Sequence, residues 1–164
     1  MIRNRKLPRL STYDYSLPGS YFITICSHEK RCTFGAVRTL NEAGEADVVY
    51  SALGKIVQDS ILDIETHYPN IRIDNWVIMP NHVHLLVSIT HQVPGSSSID
   101  IPNVVGKFKA SVTRNAGRYH VCAQKVWQSS YYDHVVRNDD DYQMIWNYIS
   151  GNPSRWQEDR LFSP

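Results

Sequence analysis

The segment WVIMPNHVHLLVSI, residues 76–89, places two histidines one residue apart in an otherwise largely apolar run. Because successive side chains of a β-strand point to opposite faces, His82 and His84 share one face. The other face carries only apolar side chains, those of Val83, Leu85, Val87 and Ile89. This alternation predicts a strand with one face in the core and one face that carries chemistry.

The two residues before the first histidine predict a tight turn. Pro80 and Asn81 are both frequent turn formers, and residues 71–79 before them form another largely apolar run. We therefore expect residues 71–79 to pair with the histidine strand in an antiparallel hairpin.

The histidine pair admits two interpretations. Two imidazoles held at a fixed separation on a rigid strand suit a metal ion. Two half-buried histidines that only satisfy local hydrogen bonds would give the same pattern. Because two ligands do not make a metal site, the first interpretation requires a third ligand from elsewhere in the chain.

The composition is that of an ordinary folded protein. The 164 residues are 42% hydrophobic and 20% charged, which predicts a single domain over residues 1–164. No stretch approaches the roughly 18 apolar residues of a membrane span, and the basic N-terminus lacks the apolar core of a signal peptide. We therefore expect a cytoplasmic protein with no membrane partner. Three cysteines without a CxxC spacing predict neither a disulfide framework nor a zinc knuckle.

Positive charge is concentrated in two regions, although the net charge is only +1. One is the N-terminal arm, residues 1–19, and the other is a predicted helix after Asp100 that has no acidic residues. Basic side chains near aromatic rings suit a nucleic-acid strand. An arm packed on the domain and a solvated helix face are the simpler alternatives. The basic residues predicted to contact DNA are Arg3, Arg5, Lys6, Arg9, Lys107, Lys109, Arg114 and Arg118.

Strand and helix patterns follow one another in an order that predicts the topology. They predict a strand at 21–26, a small hairpin within 37–50, a helix at 51–68, the histidine hairpin, a helix from about 100, an extended segment at 131–137 and a last helix from 139 to about 152. This is the βαββαβ order of an α+β, ferredoxin-like antiparallel sheet, with an additional C-terminal helix. In that fold two helices cover the apolar face of the central histidine strand, which leaves only the last helix to cover the histidines. The path of the C-terminal tail, residues 153–164, is not predicted.

The last helix offers a third ligand and a nucleophile. Tyr148 and Asn152 lie one turn apart on the flank of its apolar stripe. An amide oxygen of Asn152 beside two imidazoles would give a three-ligand site with open positions, which suits Mg²⁺ or Mn²⁺ better than a closed structural zinc. A tyrosine beside such an ion can attack a phosphodiester. The residues favour transfer through a phosphotyrosine, and a structural rim tyrosine is the alternative.

Four successive segments resemble a known family. MPNHVHLL, VVGKFKASVTR, VWQSSYYDHVVRNDDDY and YISGNPSRW are similar to the landmarks of the single-tyrosine HUH transposases. The N-terminal RLSTYDYSLPGSYFITIC further resembles the branch of REP-associated tyrosine transposases, where REP stands for repetitive extragenic palindrome. The resemblance implies a ferredoxin-like endonuclease in which His82 and His84 bind the metal ion and Tyr148 is the nucleophile. Asn152 occupies the place of the third ligand, where many relatives have Gln.

The resemblance also implies a reaction and a substrate. The tyrosine would cut single-stranded DNA at a REP-like hairpin, leaving a 5′-phosphotyrosine and a free 3′-OH that can later rejoin the strands. The protein would work as a monomer or a homodimer, with the monomer favoured. His134 and Lys109 are candidate helpers in proton transfer, with a structural role as the alternative for each.

Two other functions are compatible with parts of the pattern. A nucleotide hydrolase built on a histidine strand would carry a third imidazole at position 86, but that residue is Leu. A domesticated regulator that binds hairpin DNA without cutting it would need neither the tyrosine nor the metal ligands. The presence of all four site residues counts against the second alternative.

Overall fold

The structure is a computed structural model that describes residues 12–91, 99–122 and 124–163. It contains a four-stranded antiparallel sheet and a separate two-stranded hairpin. The strands are β1 (Gly19–Cys26), β2 (Gly35–Thr39), β3 (Ala46–Tyr50), β4 (Ile71–Met79), β5 (His82–Ile89) and β6 (Tyr132–Val135). The helices are α1 (Ala52–Leu62), α2 (Ile64–His67), α3 (Ile101–Arg118) and α4 (Asp139–Ser150), with 3₁₀ turns at His28–Lys30 and Pro153–Glu158. This order confirms the predicted α+β fold.

The histidine strand β5 is central in a sheet whose order is β4-β5-β1-β6. It pairs with β4 across the predicted turn at 80–81 and with β1 on its other side, so that His84 lies opposite both Val77 and Thr24. A slip of one residue in this register would turn both histidines to the other face. Pairing on both sides therefore determines where the imidazoles point.

Helices α1 and α3 cover the apolar face of the sheet. Each begins at a capping side chain: Ser51 Oγ accepts from the N–H of Gly54 at 3.0 Å, and Asp100 Oδ1 accepts from the N–H of Asn103 at 2.7 Å. Their apolar stripes join the inner face of β5 in one core, where each fully buried aliphatic side chain contributes roughly 1.5–3 kcal/mol. Its members include Leu53, Val57, Ile61, Val104, Phe108, Val112, Val83, Leu85 and Val87.

The helix predicted at 51–68 is interrupted at Asp63, which separates α1 from the single turn of α2. The ψ angle of Asp63 is −14°, which tightens the backbone there. The second piece ends before Pro69, because a residue that precedes proline is driven into the extended conformation that Tyr68 adopts. In the parts of the chain that the structure describes, no helix has the length and apolar character needed to cross a membrane.

Three elements cover the histidine face of the sheet. Helix α4 packs on β4 and β5, and the β2–β3 hairpin contacts both β4 and the Pro153–Glu158 turn. The expectation that α4 alone covers this face is therefore wrong, because the hairpin and the tail also carry apolar side chains that become buried there. This second core contains Phe22, Val48, Val77, Met79, Leu86, Ile145, Ile149 and Trp156.

Helix α4 is fastened to the sheet of its own chain. Asn75 Nδ2 on β4 donates to the carbonyl of Trp146 at 3.2 Å and to Ser150 Oγ at 3.0 Å. At the other end of α4, Asn138 Oδ1 accepts from the N–H of Asp141 at 2.9 Å. The cap thus fixes where α4 begins, and the Asn75 contacts seat its C-terminal half on the sheet.

Two helical glycines test how closely α1 approaches the chain before β2. A Cβ atom on Gly54 would lie 2.0 Å from the carbonyl oxygen of Phe34, whereas one on Gly106 of α3 would meet nothing within 4 Å. We expect Gly54→Ala to lower the free energy of unfolding by about 1–3 kcal/mol, because the backbones must separate. Gly106→Ala should raise it by about 0.5–1 kcal/mol through helix propensity. Urea unfolding followed by circular dichroism measures both, and equal effects would contradict the close approach.

Candidate active site

His82 and His84 lie side by side on β5, beneath α4. Their exposed fractions are 0% and 1%, and their ring centroids are 4.5 Å apart. They occupy the face of β5 that faces away from α1 and α3, as the sequence alternation predicts. Two adjacent imidazoles on one rigid strand are thus shielded from bulk water.

Each imidazole is oriented through its Nδ1 atom. Nδ1 of His84 lies 2.8 Å from Thr24 Oγ1, and Nδ1 of His82 lies 2.8 Å from Asn81 Oδ1. The amide nitrogen of Asn81 donates to two backbone carbonyls, one of them that of Leu161 at 2.7 Å. The amide oxygen of Asn81 therefore faces His82 as an acceptor, so the proton of His82 lies on Nδ1 and the lone pair on Nε2.

The Nε2 atoms of both histidines are buried and have no hydrogen-bond partner among the described residues. Burial lowers the pKa of His82 to about 4, although the negative charge of Asp159 opposes this shift. The pKa of His84 lies well below its ordinary value because of burial and then because of the neighbouring His82. Both imidazoles are therefore neutral at pH 7, which is the form that binds a metal ion.

Tyr148 of α4 lies over the histidines. Its ring centroid is 5.2 Å from that of His84 and 6.0 Å from that of Phe22. Its hydroxyl donates to Asp159 Oδ2 at 3.3 Å. Burial raises the pKa of Tyr148, and the charge of Asp159 raises it further, so the hydroxyl of the metal-free protein keeps its proton at neutral pH. The predicted nucleophile is thus brought next to the predicted metal ligands.

Asn152 lies one turn after Tyr148, just beyond the end of α4. Its φ and ψ angles of −62° and −43° continue the helical course of the backbone. The residue is 3% exposed, and its Nδ2 donates to Asp159 Oδ2 at 3.1 Å. This contact leaves Oδ1 of Asn152 buried without a hydrogen-bond partner among the described residues. A cation would satisfy such an oxygen.

Asp159 is a site residue that the sequence analysis missed. Its side chain is 2% exposed, and its Oδ2 lies 4.0 Å from His82 Nε2. Within the described ranges, His82, His84 and Asp159 form the one group of three histidine, cysteine or acidic residues that could hold a metal ion, with ligand atoms within 4.8 Å of one another. A carboxylate from the tail therefore joins the histidine pair.

The C-terminal tail reaches the site because its apolar residues dock beside it. Trp156 is buried with its ring centroid 6.0 Å from that of His82. Leu161 is buried, and its carbonyl accepts from Asn81 Nδ2 at 2.7 Å. These two apolar residues were the available signal in the sequence. They predict that the tail docks, but they do not predict where Asp159 lies between them.

The ligand atoms of the site fit a divalent cation. The site offers two neutral imidazole nitrogens, an amide oxygen and a carboxylate, and the first three are buried without a partner among the described residues. Mixed nitrogen and oxygen ligands with open positions suit a hydrated divalent ion rather than a closed structural zinc. The fit rests on both the predicted residues and Asp159.

A cleft of about 720 Å³ opens beside Tyr148 and Asp159. Arg155 and Arg160 also line it, and both side chains are exposed. Guanidinium groups at the mouth of a cleft can bind the oxygens of a phosphodiester through charge-assisted hydrogen bonds. Neither arginine was among the predicted DNA-binding residues.

The exposed basic residues of α3 lie on the other side of the sheet from the histidines, because α3 belongs to the opposite core. Lys107, Arg114 and Arg118 form this surface, which we call the α3 basic stripe. Within the described ranges, none of the three forms an ion pair with a carboxylate. The predicted DNA contacts Arg3, Arg5, Lys6 and Arg9 lie outside the described residues.

The two candidate helpers in proton transfer make structural contacts. Lys109 Nζ donates to the carbonyls of Gln128 at 2.6 Å and Ser129 at 3.1 Å, which secures the chain before β6. His134 Nε2 lies 2.8 Å from Asp141 Oδ2 at the start of α4. These contacts account for both side chains without a role in the reaction.

The buried histidines predict a loss of stability in acid. In the metal-free protein the pKa of His82 is about 4. Between about pH 6.5 and pH 4 the unfolded chain therefore binds more protons than the folded chain, and the free energy of unfolding decreases as the pH is lowered. Because pH 5 lies about 1.5 units below the pKa of the unfolded state, the loss from His82 between pH 7 and pH 5 is about 2 kcal/mol. Urea unfolding in EDTA at pH 7 and pH 5 should show a smaller loss for His82→Gln than for wild type. The exposed His120→Asn is the control, and equal losses in all three proteins would contradict the lowered pKa.

Comparison with known proteins supports the resemblance noted in the sequence. Residues 45–152 match the family of IS200-like transposases. A protein of Haemophilus influenzae is 35% identical over 98% of this chain and 94% of its own length. The REP-associated tyrosine transposase of Escherichia coli is 23% identical over 70% of this chain and 63% of its own. A solved structure of a REP-associated tyrosine transposase bound to a REP hairpin has a TM-score of 0.61 at 18% identity, covering 95% of this chain and 89% of the other. The chain belongs to the family of IS200-like transposases.

Proposed function

We propose that the protein is a metal-dependent endonuclease and transposase that cuts and rejoins single-stranded DNA at REP-like hairpins through a 5′-phosphotyrosine. The observation that carries this proposal is the position of Tyr148 over a buried pair of histidines whose Nε2 atoms have no partner among the described residues. If Tyr148 served only for packing, the side chains beneath it would not need to be two histidines with unpartnered Nε2 atoms. The relative bound to a REP hairpin supports the choice of substrate, and we place the activity in the cytoplasm.

His82, His84 and Asn152 would hold a divalent ion, Mg²⁺ or Mn²⁺. When bound, the ion supplies Lewis-acid stabilisation of the charge that develops on the scissile phosphate. The protein contributes the orientation of the ligands: Thr24 and Asn81 hold the two Nδ1 atoms, so that both Nε2 atoms are presented to the ion.

The reaction is a transesterification at one phosphorus atom. The Tyr148 oxygen forms a bond to phosphorus while the bond from phosphorus to the 3′ oxygen breaks, and the proton lost by the tyrosine is balanced by the proton that the 3′ oxygen gains. Arg155 and Arg160 line the cleft where the phosphate oxygens would lie. One phosphodiester replaces another, so attack by a 3′-OH reverses the step and rejoins DNA without an external energy source.

The proposed nucleophile and the proposed metal ligands lie together within one chain. The amide of Asn75 seats α4 on β4 of the same chain, and α4 carries Tyr148 to His84 of the same chain. This arrangement supports action in cis by a monomer, and a homodimer would contain two complete sites.

The DNA hairpin would be held away from the reacting phosphate. The α3 basic stripe lies on the face of the sheet opposite Tyr148, so a DNA strand bound there has to pass an edge of the sheet to enter the cleft. Phosphate contacts of this kind supply affinity and position rather than sequence recognition. The N-terminal arm is the second region of positive charge that we assign to DNA.

A covalent adduct tests the nucleophile. Wild type mixed with Mn²⁺ and labelled single-stranded hairpin DNA should give a protein–DNA adduct that survives denaturation, and Tyr148→Phe should give none, because the attacking oxygen is missing. Tyr142→Phe is the matched control, since it removes a hydroxyl from the same helix outside the cleft. An adduct from Tyr148→Phe would show that another residue attacks. Wild type that binds the hairpin without forming an adduct would instead indicate a DNA-binding regulator.

The salt dependence of DNA binding tests the α3 basic stripe. Each phosphate contact contributes about −1 to the slope of log K against log salt. We expect Arg114→Ala to weaken hairpin binding and to reduce the magnitude of that slope by about 1. Lys55→Ala, which removes an exposed charge from α1, is the control. Fluorescence anisotropy at several salt concentrations measures both slopes, and equal changes in the two variants would contradict contact by the stripe.

A further inference from the structure

The carboxylate of Asp159 is buried at the centre of the site without a cationic partner among the described residues. Its side chain is 2% exposed, and among the described residues the one histidine, lysine or arginine side chain within 4.0 Å of it is that of His82. Three donors contact it: Tyr148 Oη at 3.3 Å, Asn152 Nδ2 at 3.1 Å and the N–H of Leu161 at 2.6 Å. All three donors are neutral.

These neutral donors do not balance a buried negative charge. Hydrogen bonds satisfy the lone pairs of a carboxylate, but the cost of removing its charge from water is recovered only by a nearby positive charge or a metal ion. Beside Asp159, the Nε2 atoms of His82 and His84 are buried and have no hydrogen-bond partner among the described residues. A cation placed between this carboxylate and the two Nε2 atoms would satisfy all three groups.

We propose that Asp159 is the anionic ligand of the divalent ion, which it binds together with His82, His84 and Asn152. This inference rests on the metal dependence of the proposed function and adds to it a ligand from the C-terminal tail. The two carboxylate oxygens have separate tasks: Oδ1 accepts from the N–H of Leu161 and holds the side chain in place, and Oδ2 faces His82. The candidate ligand atoms of His82, His84 and Asp159 lie within 4.8 Å of one another, slightly more than the roughly 4.4 Å that two ligands about 2.2 Å from one ion can span, so the side chains would close by a few tenths of an ångström around the ion.

The proposal couples ion binding to docking of the tail. Asp159 directly follows the Pro153–Glu158 turn, whereas both histidines lie on β5, so a shared ion joins the tail to the centre of the sheet. Asp159 also contacts the hydroxyl of Tyr148 and the amide of Asn152. The ion, the nucleophile and the third ligand are thereby positioned by one carboxylate.

Titration calorimetry with MnCl₂ as the probe tests the proposal on the full chain without DNA. We expect Asp159→Asn, which preserves the shape of the side chain, to raise the dissociation constant for Mn²⁺ about tenfold or more. Glu158→Gln is the matched control, because it removes one negative charge from the adjacent, exposed residue of the same cleft. Its effect on Mn²⁺ affinity should be several times smaller.

Thermal unfolding provides a second measurement that shows whether the variant folds. In EDTA, Asp159→Asn should retain a cooperative unfolding transition, which shows that the variant folds. Addition of MnCl₂ should raise the melting temperature of wild type and of Glu158→Gln, and should raise that of Asp159→Asn much less.

Three results would overturn the assignment. They are undiminished Mn²⁺ affinity in Asp159→Asn, equal losses of affinity in Asp159→Asn and Glu158→Gln, and no Mn²⁺ binding by wild type. Failure of the proposed function has a different signature: wild type would bind Mn²⁺ normally and yet form no covalent adduct with DNA.

Discussion

The burial of two neutral imidazoles on a central strand is the constraint on which the rest of the site depends. A buried Nε2 atom without a hydrogen-bond partner is unfavourable, and among the residues that the structure describes His82 and His84 each carry one. The protein maintains this arrangement by pairing β5 on both sides and by packing helices on its other face. The stable apolar core thus keeps the two imidazoles buried, where water does not reach their Nε2 atoms.

The amide of Asn81 connects this constraint to distant parts of the chain. Its oxygen orients His82, and its nitrogen donates to the carbonyls of Lys30 and Leu161. The turn that begins β5 therefore also anchors the tail, and the tail carries Asp159 to the histidines. Replacement of Asn81 would disturb the tautomer of His82 and the docking of the tail together, because one amide serves both.

The parts of the structure that could be predicted from sequence depend on local patterns. Alternation predicted the face of His84, the helix patterns from 51 and from about 100 predicted the starts of α1 and α3, and helical spacing predicted the pairing of Tyr148 with Asn152. Each of these signals involves residues within one turn or one strand of each other.

The parts that could not be predicted depend on contacts between segments far apart in sequence. Asp159 follows a 3₁₀ turn that has no periodic apolar pattern, and its place is set by the docking of Trp156 and Leu161 on the histidine face. The β2–β3 hairpin shares that face for the same reason. A face that carries His82 and Ser88 has too few apolar side chains of its own to indicate how many elements will cover it.

The sheet separates the charges of the molecule in a way that suits a reaction on DNA. The α3 basic stripe lies on one side of the sheet. The histidine side carries a neutral imidazole pair, a buried carboxylate and a protonated Tyr148, with Arg155 and Arg160 at the cleft. If the α3 basic stripe lay next to the cleft, the many phosphates of the bound hairpin would compete with the scissile phosphate for the cation and for Arg155 and Arg160. In the proposed function, separation by the thickness of the sheet would let the α3 basic stripe hold the hairpin while a single phosphate enters the cleft, so that different residues would determine affinity and chemistry.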